Sequence, residues 1–231
     1  MRNEPGSPDI GLHHLETALE EALESVRGFP RSGFTVGEWL ALSAGLGELR
    51  ARTRRASAPV RQAFLGSARA ALLAHLRARP GVPVSPAELE GVAGIREWTR
   101  RLRELRELGW VIDSDVPGPD GRRDHYRLSV DRLDGSVVED DRLPEAVRGR
   151  EPGRGVLEYL VHLSPWPADP ARLARAAGTA DWHPAVSALI RAGWPIRPVG
   201  EGFALAAEFH RRSANPEGEV GEPTSGGWAG T

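Results

Sequence analysis

Residues 95–110 read IREWTRRLRELRELGW, and this stretch decides the fold of the chain. Its apolar residues recur at steps of three and four, which is the spacing of one buried stripe along a helix: Ile95, Trp98, Leu102, Leu105 and Leu108. The residues that point away from this stripe are polar: Arg96, Thr99, Arg100, Arg103 and Arg106. Gly109 then predicts the end of the helix, because glycine readily adopts the left-handed conformation of a C-cap.

The residues around this helix predict a winged helix-turn-helix unit at 58–131. Upstream, residues 60–78 and 85–94 have the pattern of two further helices, and Ser85-Pro86-Ala87-Glu88 is a strong helix start. Downstream, residues 110–115 and 125–130 alternate like two strands around the glycine-rich turn at 117–121. Three helices followed by a hairpin are the order of a winged helix-turn-helix.

The same pattern occurs twice. A shift of 84 residues without a gap superimposes thirteen identical residues of 73–112 on 157–196, among them Pro86 on Pro170 and Trp98 on Trp182. Such an internal repeat predicts a second winged helix at 154–212 with a shorter wing at 199–202, after a linker at 132–153. The copies differ on the outer face of the third helix, where the second has uncharged residues: Ala180, His183, Pro184 and Ser187. We therefore assign nucleic-acid contact to the first copy and a packing or partner role to the second.

The predicted fold is mainly α (α+β), with an N-terminal helical segment at 11–57 followed by tandem winged helix-turn-helix units. Within that segment residues 11–27 are amphipathic, Thr35 predicts the N-cap of a second helix, and Ala56-Ser57-Ala58-Pro59 predicts a boundary. The segment could brace the following unit or form a homodimer contact. Residues 1–10 and 213–231 have the composition of disordered segments.

Charge and composition narrow the class of protein. The formal net charge is −2, yet residues 50–106 carry thirteen Arg against four Glu, which is the local basic block of a nucleic-acid site. There is no Cys, which excludes disulfides and thiolate metal sites. No apolar run is long enough to span a bilayer, and the first residues have no signal-peptide pattern. We expect a cytoplasmic protein without membrane contact.

No catalytic motif is visible, so we expect neither an enzyme nor a bound cofactor or metal. The chain has no phosphate-binding loop, dinucleotide fingerprint or H-E-x-x-H segment, and its seven His are scattered. Four Asp cluster around the proposed wing, but Asp is an ordinary turn residue: Asp113, Asp115, Asp120 and Asp124.

The predicted contacts to double-stranded DNA lie at the start of the third helix and at the wing tip. They are Arg96, Thr99, Arg100, Arg103, Arg122 and Arg123. Helix-turn-helix proteins read base edges from the N-terminal part of this helix, and Arg can hold O6 and N7 of guanine together. The alternative is a solvated helix with the i,i+4 pairs Glu97–Arg101 and Arg103–Glu107. The tryptophans at matching places in both copies are predicted core residues: Trp98, Trp110, Trp182 and Trp194.

The run from Val84 to Leu128, with VSPAELEGVAGI, EWTRRLRELRELGWVID and HYRL, resembles the winged-helix module that accompanies HNH-type and other restriction endonucleases in bacteria. The resemblance implies DNA binding by the third helix and the wing. No HNH segment follows the module, so cleavage is not implied. The predicted function is a non-catalytic DNA-binding regulator, or the DNA-reading subunit of a defence or restriction system. The alternatives are a tandem winged-helix adaptor that binds protein, with the second copy as its partner surface, and a nuclease without a recognisable motif.

Overall fold

The computed structural model describes residues 8–65 and 67–206 of the 231-residue chain. The fold is mixed α/β, 54% helical, with two small antiparallel sheets. The described elements are, in chain order, α1 (Pro8–Arg27), α2 (Val36–Leu65), α3 (Ala68–Ala78), α4 (Pro86–Ala93), α5 (Trp98–Glu107), β1 (Val111–Val116), β2 (His125–Val130), α6 (Leu143–Ala146), α7 (Pro152–Leu163), α8 (Pro170–Ala177), α9 (His183–Arg191), β3 (Ile196–Val199) and β4 (Gly202–Leu205).

The first two helices form an antiparallel hairpin. Thr35 caps α2 as predicted, since its hydroxyl accepts a hydrogen bond from the Glu38 amide at 3.2 Å. The predicted boundary at 56–59 is wrong, because α2 continues through these residues to Leu65. The break comes at Ser67, whose hydroxyl accepts from the Ala70 amide and caps α3. At the other end α1 begins at Pro8, inside the segment predicted to be disordered. Residues 1–7 and 207–231, which include the predicted tail, lie outside the described part.

Helices α3, α4 and α5 are followed directly by the β1–β2 hairpin, in the predicted order. Ser85 caps α4 through the Glu88 amide at 3.1 Å, and Gly94 ends it in the left-handed conformation with φ 60°. An antiparallel bridge between Val84 and Tyr126 places the short segment before α4 beside β2. The sheet therefore ties the start of α4 to the strand that follows the hairpin turn.

Helices α7, α8 and α9 and the β3–β4 hairpin repeat this order of elements. Asp169 caps α8 as Ser85 caps α4, and Gly178 ends it with φ 69° as Gly94 ends α4. A bridge between Ala168 and Phe203 corresponds to the one between Val84 and Tyr126. The second hairpin closes through Gly200 and Glu201 alone, so its turn is short, as predicted.

One core joins the two sets of elements. The four predicted core tryptophans are all buried, and the core runs from α3 through α5 to α7 and α9. The segment 132–153, predicted as a linker, contributes Val137, Leu143 and Val147 to this core. Their burial fixes the path of a stretch whose Gly, Pro and acidic composition is typical of a mobile connector. In the described part of the chain, no helix is long and apolar enough to cross a membrane.

A buried arginine lies at the junction. The Arg77 side chain, on α3, is 1% exposed, and its Nε donates to Asp131 Oδ1 at 2.8 Å. Its terminal nitrogens donate to three carbonyl oxygens at the end of α7, those of Val161, His162 and Ser164, at 2.6–3.3 Å. Burial lowers the pKa of Arg77 and raises that of Asp131, so both charges carry a desolvation cost. The hydrogen bonds offset that cost only while all partners are in place.

A buried histidine lies beside this arginine. His162 is fully buried, and its Nδ1 accepts a hydrogen bond from Trp110 Nε1 at 3.0 Å, which requires that Nδ1 carry no proton. Burial, reinforced by the positive charges of Arg69, Arg77 and Arg132, holds the pKa of His162 well below its ordinary value of 6.5. The folded protein therefore keeps this side chain neutral.

Stability should fall as the solution is acidified. Above pH 6.5 His162 is neutral in both states, whereas below it the unfolded chain binds a proton that the folded chain does not. We expect the free energy of unfolding to drop by about 1 kcal/mol per pH unit below 6.5, measured by urea denaturation between pH 7.5 and pH 5.5. His75, whose pKa burial also lowers, adds to the effect. His162→Gln should therefore remove part of the dependence, and an undiminished slope in that variant would contradict this assignment.

Candidate nucleic-acid interface

The helix α5 is fixed by its apolar side. Trp98, Leu102 and Leu105 are buried, and Ile95 and Leu108 pack partly buried against the same core, as the spacing predicts. Trp98 also packs edge-on against the ring of Tyr126, on β2, with 5.3 Å between ring centroids. Because one side of the helix is held in this way, the opposite side faces solvent.

The predicted residues at the start of α5 are all exposed. Thr99, Arg100 and Arg103 lie on the helix. Arg96 does not, because α5 begins only at Trp98, and the prediction that Arg96 belongs to the helix is wrong. The left-handed Gly94 ends α4, and the residues after it form a turn that carries Arg96. Among the described residues the guanidinium group of neither Arg96 nor Arg103 forms a hydrogen bond or an ion pair, so both groups are free to bind an anion.

Glu104 organises the remaining charges on this surface. It pairs with Arg101 at 2.6 Å, with Arg100 at 3.4 Å and with Arg69 of α3 at 3.7 Å. Although burial raises the pKa of Glu104, the hydrogen bond from Arg101 and the surrounding guanidinium groups bring it below the ordinary value. The predicted pairs Glu97–Arg101 and Arg103–Glu107 do not form among the described residues, where Arg101 pairs with Glu104 instead. The Arg103 guanidinium has no ion pair in that part of the chain.

The tip of the β1–β2 hairpin carries the other two predicted residues. The Gly118 amide donates to the Arg122 carbonyl at 2.8 Å, and the Arg122 amide donates to Asp120 Oδ1 at 3.0 Å, so the turn is held by hydrogen bonds within itself. Arg122 and Arg123 are exposed. Arg122 forms a surface ion pair with Asp124 at 2.6 Å, whereas Arg123 has no partner among the described residues. In that part of the chain, no hydrogen bond or ion pair links the tip of the hairpin to α5.

The acidic residues of the hairpin are held in separate local contacts. Asp113 accepts hydrogen bonds from Arg127 and Ser129, and Asp120 and Asp124 bind the turn as described above. The hydrogen bonds from Ser129 and Arg127 lower the pKa of Asp113. Within residues 8–65 and 67–206, no group of His, Asp or Glu is arranged to hold a metal ion.

The corresponding surface of α9 is exposed but uncharged. Ala180, His183, Pro184 and Ser187 all face solvent. Pro184 lies in the first turn of α9, the place in a helix where proline is tolerated, and His183 stacks on Trp182 with 3.9 Å between ring centroids. At the positions where α5 has arginine, α9 therefore has no guanidinium group that could bind a phosphate.

Some residues around α5 have roles that the sequence pattern did not reveal. Arg106 is exposed, but its side chain is held in place because its Nε donates to the Ile112 carbonyl at 2.8 Å. This hydrogen bond joins the end of α5 to β1. Arg50 and Arg54 of α2 lie beside α4, where Arg54 pairs with Glu90 at 3.0 Å. Arg50 keeps a side chain that is 71% exposed and lies 3.9 Å from the same carboxylate. Only the folded path of α2 brings these arginines next to α4, so spacing along the chain gives no signal for them.

Comparison with known proteins gives one match. Residues 69–132, from α3 through β2, match the family described as the KpnI N-terminal domain, which is a restriction-enzyme domain. The match supports the predicted association of this module with restriction enzymes and suggests a restriction-related role. It ends before the second set of elements. No curated protein and no solved structure matches the chain.

Proposed function

We propose that this protein is a non-catalytic double-stranded DNA-binding protein of a restriction-related system, and that it reads DNA with α5 and the β1–β2 hairpin. The observation that carries the proposal is the row of exposed guanidinium groups at the start of α5, of which Arg96 and Arg103 are unpaired among the described residues. Helix N-termini of this kind enter the major groove in helix-turn-helix proteins, and arginine is well suited to both phosphate and guanine.

We interpret both sets of elements as winged helix-turn-helix units that arose by duplication. Helix, helix, recognition helix and hairpin occur in that order twice, with a side-chain cap and a left-handed glycine at corresponding ends of the second helix and a corresponding bridge before it. The hairpin tip, with Arg122 and Arg123, would then be a wing that contacts phosphates or the minor groove. We assign the second unit a packing role, supported by the bonds from Arg77 of α3 to the end of α7.

The decisive experiment is the substitution Arg103→Ala. We expect affinity for a random duplex to fall about tenfold, since a hydrogen bond from a charged donor is worth about 1.5 kcal/mol or more. If the lost contact is to a phosphate, the slope of log K against log salt should also fall by about 0.9. The measurement is a fluorescence anisotropy titration at two salt concentrations.

The matched control is Arg191→Ala, which removes an exposed arginine from the counterpart helix α9. This variant should bind DNA as the unchanged protein does, because the proposed contacts lie on α5. Equal losses in both variants would point to a diffuse charge effect and contradict the assignment of α5. Metal-dependent nicking of plasmid DNA by the purified protein would overturn the non-catalytic part of the proposal.

A further inference from the structure

The α1–α2 hairpin has a higher density of exposed apolar side chains than the rest of the described chain. Eight of the fifteen large hydrophobic residues that are exposed there lie between residues 12 and 40: Leu12, Leu19, Leu23, Val26, Phe34, Val36, Trp39 and Leu40. Six of them lie along the two helices away from the aromatic cluster of the turn, namely Leu12, Leu19, Leu23, Val26, Val36 and Leu40, and together they expose roughly 600 Å² of apolar surface. That is about three quarters of the ~800 Å² that each partner contributes to a standard protein interface, and it lies at the upper end of the patches found on monomers.

Each helix of the hairpin has two apolar faces. On α1 the buried Gly11 and Ala18 belong to the face toward α2, and the exposed stripe of Leu12, Leu19, Leu23 and Val26 is rotated from it by about 100°. On α2 the partly or fully buried face is formed by Leu42, Leu46 and Leu49. An open face with Val36, Leu40, Ser43 and Gly47 is rotated from it by about 120°. Two faces at such angles are what a helix needs when it has two neighbours in a four-helix bundle.

The two open faces lie on the same side of the hairpin. On both helices the open face is reached from the buried face by a turn in the same direction about the helix axis, the direction in which residue number increases. Because α1 and α2 run antiparallel, an equal sense of rotation brings both open faces to one side. The antiparallel arrangement is held by the ion pair of Arg52 with Glu21 and by the packing of Phe29 against Trp39 at the turn.

We propose that this hairpin face, formed by the two open stripes, is the interface of a homodimer in which two hairpins make a four-helix bundle. A second copy fits because the hairpin is complementary to itself in shape and charge. Ser43 and Gly47 leave room for large side chains, and a Cβ added at Gly47 meets nothing within 4 Å. α1 carries five acidic residues and one Arg. Of the arginines of α2 whose side chains are described, Arg52 and Arg54 pair with Glu21 and Glu90 of the same chain, and Arg50 and Arg55 remain exposed. An isologous contact that sets α1 against the partner's α2 therefore joins opposite charges.

The charged residues at the edges of the face fit this arrangement. Glu16 and Glu20 border the stripe of α1 and have no ion pair among the described residues. Arg50 follows the open face of α2 with a side chain that is 71% exposed, and its contact with Glu90 of α4 is a long one at 3.9 Å. In the dimer these acids would approach Arg50 of the other copy. A twofold contact of α1 with α1 would instead bring the acids of both copies together, which is unfavourable.

The test is the mass of the full chain in solution, measured by sedimentation equilibrium. The unchanged protein should have about twice the chain mass of 25.0 kDa. Leu19→Glu should weaken dimerisation by about a hundredfold, because it buries two unpaired carboxylates in each dimer. The matched control is Leu133→Glu, at a leucine that is 53% exposed against 56% for Leu19 and that lies outside the hairpin; it should stay dimeric.

A second variant separates loss of the interface from loss of the fold. Gly47→Gln fills open space on a helix and should raise the helical stability of the monomer while it blocks the close approach of the partner. A thermal melt of the dilute protein together with its mass gives both readouts. A mass of 25.0 kDa for the unchanged protein, or a dimer that persists in Leu19→Glu, would overturn the proposal. Neither result depends on DNA binding, so this test is separate from that of α5.

Discussion

Replacing Arg77 with Met is expected to lower the free energy of unfolding by about 3–5 kcal/mol, because one partner of a buried ion pair is removed and the other remains. Asp131, 9% exposed at its side chain, would keep a charge without its counterion. The carbonyl oxygens of Val161, His162 and Ser164 would lose their donors in a site closed to water. The measurement is urea denaturation followed by tryptophan fluorescence.

The control for this prediction is an arginine at the surface. Arg142 has a side chain that is 85% exposed and pairs with Asp140 at 3.3 Å, so Arg142→Met should cost no more than about 1 kcal/mol. The double variant Arg77→Met with Asp131→Leu should recover part of the loss, since it removes the orphaned charge but not the unpaired carbonyls. A loss below 1 kcal/mol in Arg77→Met would show that water reaches the junction and satisfies these groups.

The same junction explains why the two sets of elements cannot be treated as independent. Arg77 lies on α3 and its carbonyl partners lie at the end of α7, while Trp110 bonds to His162 across the same boundary. The sequence predicts two units with a linker because each unit repeats the same local pattern. It does not reveal that an arginine on one is buried against the other, since this depends on contacts more than 50 residues apart along the chain.

Local sequence signals predicted the structure correctly where they act within one or two helical turns. The spacing of Trp98, Leu102 and Leu105 predicted the buried side of α5, and the cap at Ser85 and the glycine at Gly94 predicted α4. These features work because side chains three or four residues apart share a face, and because a cap bonds to an amide within its own turn. The exposure of Thr99, Arg100 and Arg103 follows from the same periodicity.

Local sequence signals gave a wrong prediction where the composition was typical of a helix break but contacts in the folded chain kept the residues helical. Residues 56–59 have the composition of a linker, yet Ala56 is buried and the Ser57 hydroxyl donates to the Arg54 carbonyl within the helix. The predicted charge pairs on α5 failed for a related reason. Arg101 can reach more than one carboxylate and pairs with Glu104 at 2.6 Å rather than with Glu97, and Glu104 also lies 3.7 Å from Arg69 of α3, a neighbour that sequence spacing does not show.

The packing of α7 on α8 leads to the other large effect that we expect. Gly155, in the second turn of α7, is buried, and a Cβ added there would lie 2.0 Å from the Ala176 carbonyl oxygen. No real contact is that short, and the obstacle is backbone at the end of α8 rather than a flexible side chain. Gly155→Ala should therefore force the two helices apart and lower the free energy of unfolding by about 1–3 kcal/mol.

Gly153, two residues earlier in the same helix, is the matched control, because a Cβ added there meets nothing within 4 Å. Gly153→Ala should be neutral or stabilising by up to about 1 kcal/mol, since alanine favours the helix. The two variants make the same chemical change in one helix, so a difference between them isolates the close approach from helix propensity. Equal unfolding free energies in urea denaturation would mean that α7 can shift without cost, and that Gly155 does not set the spacing of the two helices.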